Sequence, residues 1–231
     1  MLKEHFFRKT VIFMEIKAAI FDMDGTLVDS LMIWNVLWAK LGKRFLNDDS
    51  FMPSEADDRK VRTLTLKDAM TLIHNNYGIG AGGEELLDIA NSLIADFYTN
   101  EVKLKDGVKE FLEALKENGV KMCVASATAR DLVDMAMEHC GIKHYFLKVF
   151  SCGEIGKGKE KPDVFLMAAD FLGEDIANTC VFEDSLVAIN TARSIGMLTV
   201  GIYDKYNFGH EKIKEISTEY IAEGETLLKI L

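Results

Sequence analysis

The stretch AAIFDMDGTLVDS, from Ala18 to Ser30, sets an apolar run directly before two aspartates, Asp22 and Asp24. Four apolar residues in a row are typical of a short buried strand, and the aspartates would then lie where that strand ends. Carboxylates at the end of a buried segment are costly unless another group pairs with them or uses them. We therefore expect these two aspartates either to pair with a cation or to take part in catalysis.

Strand and helix patterns alternate along the chain after residue 103. Short apolar strands are predicted at residues 16–21, 120–125, 146–151, 179–182 and 198–203, with helical patterns between the later ones. Such alternation is typical of a parallel sheet that is covered on both faces by crossover helices. The predicted fold class is therefore α/β, with a Rossmann-like parallel sheet at its core.

Residues 30–103 differ from the rest of the chain because their apolar residues recur only at helical spacing. We therefore predict an inserted all-helical cap domain over 30–103 and a core formed by residues 14–29 and 104–231. Residues 1–13 precede the first strand pattern and are predicted to be an N-terminal extension.

Two helix boundaries in the predicted cap can be proposed from single residues. Asp29 and Ser30 are polar residues of the type that cap helices, and Gly42 is a typical helix stop, so they are predicted to bound the first helix. Thr65 and Asp68 are spaced as a capping box and predict the start of another helix.

Composition excludes several classes of protein. The chain of 231 residues has a formal net charge of −10 at pH 7, which argues against nucleic acid as the main partner. Its four cysteines form no CxxC pair and are typical of reduced, mostly buried thiols. No stretch approaches the ~20 apolar residues of a membrane span. We therefore predict a cytoplasmic protein without a membrane partner, whose oligomeric state the sequence does not indicate.

Polar side chains follow the predicted strands at the edge where their carboxyl ends meet. In open parallel sheets this edge binds ligands, near the point where the strand order reverses. The residues that the pattern places there are Asp22, Asp24, Gly25, Thr26, Ser126, Ala127, Thr128, Lys157, Lys159, Lys161, Glu183 and Asp184. Among them, Thr128 is interpreted as a helix cap and not as a ligand.

Four of these side chains are carboxylates, namely Asp22, Asp24, Glu183 and Asp184, and they would repel one another unless a hard cation lay among them. Oxygen ligands alone favour Mg²⁺ over zinc. Mg²⁺ commonly accompanies phosphate, and a hydroxyl with a lysine could hold the other phosphate oxygens. We therefore predict phosphoryl transfer, in which one aspartate attacks phosphorus and the other carries the proton of the leaving or attacking oxygen.

The order and spacing of these motifs resemble the haloacid dehalogenase superfamily of phosphotransferases. The four matching stretches are FDMDGTLVDS (21–30), CVASAT (123–128), GKGKEKPDVF (156–165) and VFEDSLVAIN (181–190). The third stretch and a cap inserted directly after the first are similar to the branch that includes β-phosphoglucomutase. The resemblance extends over the predicted core, from about residue 16 to residue 203.

The resemblance implies a role for each matched residue. Asp22 would be the nucleophile, Asp24 the general acid/base, and Ser126 and Lys159 would bind the phosphoryl group, with Lys161 as the alternative lysine. The predicted Mg²⁺ ligands are Asp22, Asp24 (through its carbonyl), Glu183 and Asp184. The predicted substrate-binding residues are Gly25, Thr26, Ser126, Ala127, Lys159 and Trp34.

Two enzymatic functions share this chemistry. A phosphatase lets water attack the aspartyl-phosphate, whereas a sugar phosphomutase returns the phosphoryl group to another hydroxyl. The mutases of this family carry a histidine twelve residues after the nucleophile, where this chain has Trp34. The predicted function is therefore a Mg²⁺-dependent phosphatase of a small phosphorylated metabolite. A phosphomutase is the alternative, and a non-catalytic protein that binds a phosphorylated ligand is a third interpretation.

Overall fold

The computed structural model describes residues 16–62 and 64–231, so the predicted extension at 1–13 lies outside the described residues. The chain forms two compact units. Of the described residues, the core unit contains 16–31 and Val102–Leu231, and the inserted unit lies within Met32–Glu101. The inserted unit therefore interrupts the sequence of the core unit.

Strands occur in the core unit, as the apolar runs predict. In chain order they are β1 Ala18–Phe21, β2 Val28–Asp29, β3 Lys103–Leu104, β4 Lys121–Ser126, β5 Val149–Ser151, β6 Thr179–Glu183, β7 Leu198–Ile202 and β8 Glu219–Ile221. Six of them form one sheet in the order β5-β4-β1-β6-β7-β8, and every neighbouring pair in it is parallel. The predicted Rossmann-like α/β fold is confirmed.

The α-helices of the described residues lie between β2 and β8 in the sequence. In chain order they are α1 Ile33–Phe45, α2 Glu55–Val61, α3 Leu66–Tyr77, α4 Gly83–Asn100, α5 Val108–Glu117, α6 Arg130–His139, α7 Cys152–Ile155, α8 Asp163–Leu172, α9 Leu186–Ser194 and α10 His210–Ile216. The first four lie in the inserted unit, whose described residues contain no strand.

Strand β1 is apolar throughout because both faces of the sheet are covered there. Ile20 lies in a buried cluster with residues of α8 and α9, such as Phe165 and Ala188. On the opposite face, Phe21 stacks on Phe182 of β6 with ring centroids 4.3 Å apart. β1 also lies between β4 and β6, where the strand order reverses, so whatever follows its last residue stands at the ligand-binding edge.

A short two-stranded ribbon in the core unit was not predicted. Val28–Asp29 pairs with Lys103–Leu104 in antiparallel register, at the points where the chain leaves and re-enters the core unit. Two residues are too few for an alternating pattern to show in the sequence.

The boundaries of α1 differ from the prediction at both ends. The helix begins at Ile33, and its N-cap, Met32, makes no side-chain capping bond, so Asp29 and Ser30 do not cap it. At the other end the helix continues through Gly42. A Cβ atom on Gly42 would lie 2.3 Å from the carbonyl oxygen of Asp48, so glycine serves the close return of the following loop.

The other predicted cap, at Thr65, is confirmed. The Thr65 hydroxyl accepts a hydrogen bond of 3.2 Å from the Asp68 amide at the start of α3. All four cysteines are free thiols, and Cys123, Cys152 and Cys180 are buried. Across the part of the chain that the structure describes, no helix is both long and apolar enough to cross a bilayer.

Candidate active site

The carboxyl ends of β1 and β6 bring three acidic side chains together. Asp22 follows β1 directly, and its amide donates to the carbonyl of Phe182 in β6 at 2.9 Å, which continues the strand pairing by one residue. Asp22, Glu183 and Asp184 each offer a carboxylate oxygen within 4.8 Å of the others. This arrangement follows from two adjacent parallel strands that both end in acidic residues.

These carboxylates are buried, which makes the cluster unfavourable without a cation. Asp22, Glu183 and Asp184 are 8%, 1% and 3% exposed. Burial raises the pKa of Asp22 and of Asp184 above the usual range, and the neighbouring carboxylates raise both further. Three oxygen ligands of this kind suit a hard divalent metal ion, which would offset their mutual repulsion.

Lys159 already provides part of the positive charge. Its Nζ atom lies 2.5 Å from Asp22 Oδ1 and 2.5 Å from Glu183 Oε1. Burial lowers the pKa of Lys159, but the two carboxylates outweigh this effect and raise it well above its usual value. The side chain is therefore a fixed ammonium group, whereas the alternative, Lys161, is exposed at the surface.

The contacts of Glu183 separate its task from that of the two aspartates. Glu183 Oε1 binds Lys159, and Oε2 accepts a hydrogen bond of 2.8 Å from the Ser185 amide at the start of α9. Both oxygens of Glu183 are thus engaged by protein groups. Asp22 and Asp184 each have one carboxylate oxygen outside the contacts with Lys159 and Asn207 that is available for a metal ion.

Asp24 is held by two hydroxyl groups. Ser30 Oγ donates to Asp24 Oδ1 at 2.6 Å, and Thr128 Oγ1 donates to Asp24 Oδ2 at 2.7 Å. The interpretation of Thr128 as a helix cap is wrong, because the N-cap of α6 is Ala129 and makes no side-chain capping bond. Both hydroxyls are instead spent on orienting Asp24.

Ser126 ends β4 beside this group and is 1% exposed. Its Oγ atom accepts a hydrogen bond of 3.0 Å from the Thr128 amide, which leaves the hydroxyl proton for a phosphate oxygen. Ser151 Oγ donates to the Thr128 carbonyl at 3.0 Å and holds the turn from β5. Ala127, which lies between Ser126 and Thr128 in the sequence, is exposed.

Gly25 and Thr26 form the turn behind the aspartates. Gly25 has a φ of +75°, and a Cβ atom there would lie 2.3 Å from Asp184 Oδ2, so only glycine fits. Thr26 is buried, and its hydroxyl has no hydrogen-bond partner among the described residues. Trp34 lies in the inserted unit, where its ring is 5.5 Å from that of Trp38.

One residue of the site, Asn207, was not identified by the sequence analysis. Asn207, in the loop after β7, donates from Nδ2 to Asp184 Oδ2 at 2.7 Å and to the Asp184 carbonyl at 3.0 Å. A lone asparagine in a polar loop carries no local signal. Only the pairing of β6 with β7 brings this loop close to Asp184.

Comparison with known proteins agrees with this geometry. The haloacid dehalogenase-like hydrolase family matches residues 16–196. Protein CbbY of Rhodobacter capsulatus is 28% identical over 209 residues, which cover 86% of this chain and 90% of that protein. The 6-phosphogluconate phosphatase of Escherichia coli K12 is 24% identical over 183 residues, covering 79% of this chain and 80% of that protein. The chain belongs to the haloacid dehalogenase-like hydrolases.

Solved structures show the same fold. The crystal structure of β-phosphoglucomutase from Clostridium difficile superposes with a TM-score of 0.68 at 21% identity, covering 90% of this chain and 91% of that one. This likeness shows the fold. The family match confirms the predicted family and, with the phosphatases among the relatives, the predicted enzyme class, a hydrolase of phosphoric monoesters. The individual residue roles remain predictions.

Proposed function

We propose that the protein is a Mg²⁺-dependent phosphatase that hydrolyses a small phosphorylated metabolite through an aspartyl-phosphate on Asp22. The observation that carries this proposal is the position of Asp22 Oδ1 beside Lys159, within a cluster of three buried carboxylates. A carboxylate so placed can attack an electron-poor centre, and the adjacent ammonium can neutralise the oxygens of a phosphoryl group.

The metal would be held by Asp22 Oδ2, by Asp184 and by the Asp24 carbonyl. When bound, Mg²⁺ supplies positive charge that offsets the carboxylates and the phosphoryl oxygens. Glu183 supports the site by holding Lys159 and the start of α9. Ser126 would donate its hydroxyl proton to a phosphate oxygen.

The reaction divides between the two aspartates. Asp22 forms a bond to phosphorus while the bond from phosphorus to the ester oxygen breaks, and the leaving alcohol takes a proton from Asp24. Water then attacks phosphorus, gives its proton to Asp24, and releases inorganic phosphate and Asp22. Ser30 and Thr128 orient Asp24 for both proton transfers.

Hydrolysis is favoured over phosphoryl return because Trp34 stands where the mutases of the family carry a histidine. The names of the relatives support a small substrate, since they include phosphatases of 6-phosphogluconate and of validoxylamine A 7'-phosphate. We further propose that the predicted helical cap over 30–103 selects the substrate.

A substrate panel tests the proposal. The purified protein is incubated with MgCl₂ and with sugar phosphates, nucleotides and an aryl phosphate, and free phosphate and isomerised sugar are measured together. We expect phosphate release that stops when EDTA is added and returns with excess Mg²⁺. Isomer without free phosphate would identify a mutase. Binding of a phosphorylated compound without either product would identify a binding protein.

A further inference from the structure

Asn207 holds Asp184 in a way that leaves one carboxylate oxygen for a ligand. The side-chain nitrogen of Asn207, Nδ2, donates one hydrogen bond to Asp184 Oδ2, at 2.7 Å, and another to the Asp184 carbonyl, at 3.0 Å. Gly25 also lies close to Oδ2, because a Cβ atom on Gly25 would be 2.3 Å from it. Oδ2 is thus enclosed, and Oδ1 is the oxygen that Asp184 has left to offer.

The orientation of the Asn207 amide follows from its own contacts. Asn207 Oδ1 accepts a hydrogen bond of 2.8 Å from the Phe208 amide, so the nitrogen is the atom that faces Asp184. Asn207 Nδ2 therefore donates to both Asp184 Oδ2 and the Asp184 carbonyl, and these two bonds fix the Asp184 side chain in one rotamer. The hydrogen bond from Asn207 to the Asp184 carboxylate also lowers the pKa of Asp184, whereas burial has the larger effect and raises it.

Asn207 is itself fixed by its bond to Asp204, which belongs to a partly buried ion pair. The backbone amide of Asn207 donates to the Asp204 carbonyl at 3.0 Å, and the backbone amide of Tyr206 donates to Asp204 Oδ1 at 2.9 Å. Asp204 is 2% exposed, and Lys105 binds its Oδ2 at 2.7 Å. The loop that carries Asn207 is therefore anchored to the residue that follows β3.

We propose that Asn207 is a positioning residue that sets the affinity of the site for its divalent metal ion by holding Asp184. This inference rests on the metal site of the proposed function. Carboxylates that bind metals are commonly hydrogen-bonded by a second group, and loss of such a group weakens metal binding by about 10- to 100-fold. Asn207 reaches the proposed metal site only by its two hydrogen bonds to Asp184, so its effect on metal binding is exerted through Asp184.

The test compares Asn207→Ala with a matched asparagine elsewhere in the core unit. Asn118 Nδ2 donates to the Ala114 carbonyl at 2.8 Å at the end of α5, and Asn118→Ala removes one exposed hydrogen bond. Mg²⁺ is titrated calorimetrically into each substrate-free protein, and thermal unfolding is followed with and without Mg²⁺. Asn207→Ser, which keeps a shorter donor, provides a second variant if the alanine variant unfolds.

We expect Asn207→Ala to weaken Mg²⁺ binding by about 10-fold or more, with Asn207→Ser between it and the unaltered protein. At saturating Mg²⁺ its kcat should approach that of the unaltered protein, and Asn118→Ala should bind Mg²⁺ normally. Unchanged Mg²⁺ affinity in Asn207→Ala, or an equal loss in Asn118→Ala, would overturn the inference. Absence of Mg²⁺ binding by the unaltered protein would instead contradict the proposed function.

Discussion

Replacing Asp22 by asparagine is expected to reduce phosphate release by about 10⁴-fold or more, as removal of a catalytic nucleophile typically does. The amide is nearly the same size as the carboxylate but cannot form the covalent bond to phosphorus. Because the substitution removes one of three clustered buried charges, we expect the fold to persist with no loss of thermal stability. Phosphate release and thermal unfolding are measured on the same preparation.

A matched substitution on the surface controls for that result. Asp170 is exposed on α8, and Asp170→Asn should leave both turnover and stability unchanged. Retention of more than a few per cent of the activity by Asp22→Asn would mean that another group attacks phosphorus, and the assignment of the nucleophile would fail.

Replacing Lys159 by methionine is expected to destabilise the metal-free protein by about 3–5 kcal/mol at pH 9, because it leaves buried carboxylates without their cation. Burial raises the pKa of Asp22 to about 8, and loss of the ammonium raises it further. Asp22 is therefore protonated in the folded variant at pH 6, whereas pH 9 favours its ionised form, which is costly without the ammonium. The stability deficit should shrink as the pH falls, which urea unfolding in EDTA at both pH values measures.

Two further variants isolate the cause. Lys121 pairs with Glu174 at 2.9 Å but is 45% exposed, so Lys121→Met should cost no more than about 1 kcal/mol at either pH. Asp184→Asn removes a buried charge and should raise the stability of the metal-free protein. A Lys159→Met deficit of the same size at pH 6 and pH 9 would show that the carboxylates are not its source.

The parts of the fold that the sequence predicts are those with a repeating local signal. The apolar run before Asp22 and the alternation of helices and strands predict the parallel sheet and the edge where Asp22, Glu183 and Asp184 meet. Short elements escape such analysis. α2 consists of EADDRKV, in which no apolar spacing is long enough to indicate a helix.

Contacts between distant segments account for the other differences. Thr128 lies 104 residues from Asp24 in the sequence. Its neighbours in the sequence suggest a cap for α6, and only the folded structure shows that its hydroxyl binds Asp24 instead. Gly42 shows the same limit, since the loop that returns over it cannot be read from α1 alone. Local patterns therefore predict where a side chain stands along its element, and tertiary contacts decide which partner it binds.

Trapping the covalent intermediate tests the central claim most directly. The protein is mixed with Mg²⁺ and an ester that it hydrolyses, quenched in acid during turnover, digested and examined by mass spectrometry. The account predicts one phosphoryl group on the peptide that contains Asp22, absent from Asp22→Asn and lost on treatment with base. Steady phosphate release with no phosphorylated peptide, or with the phosphoryl group on another residue, would contradict it.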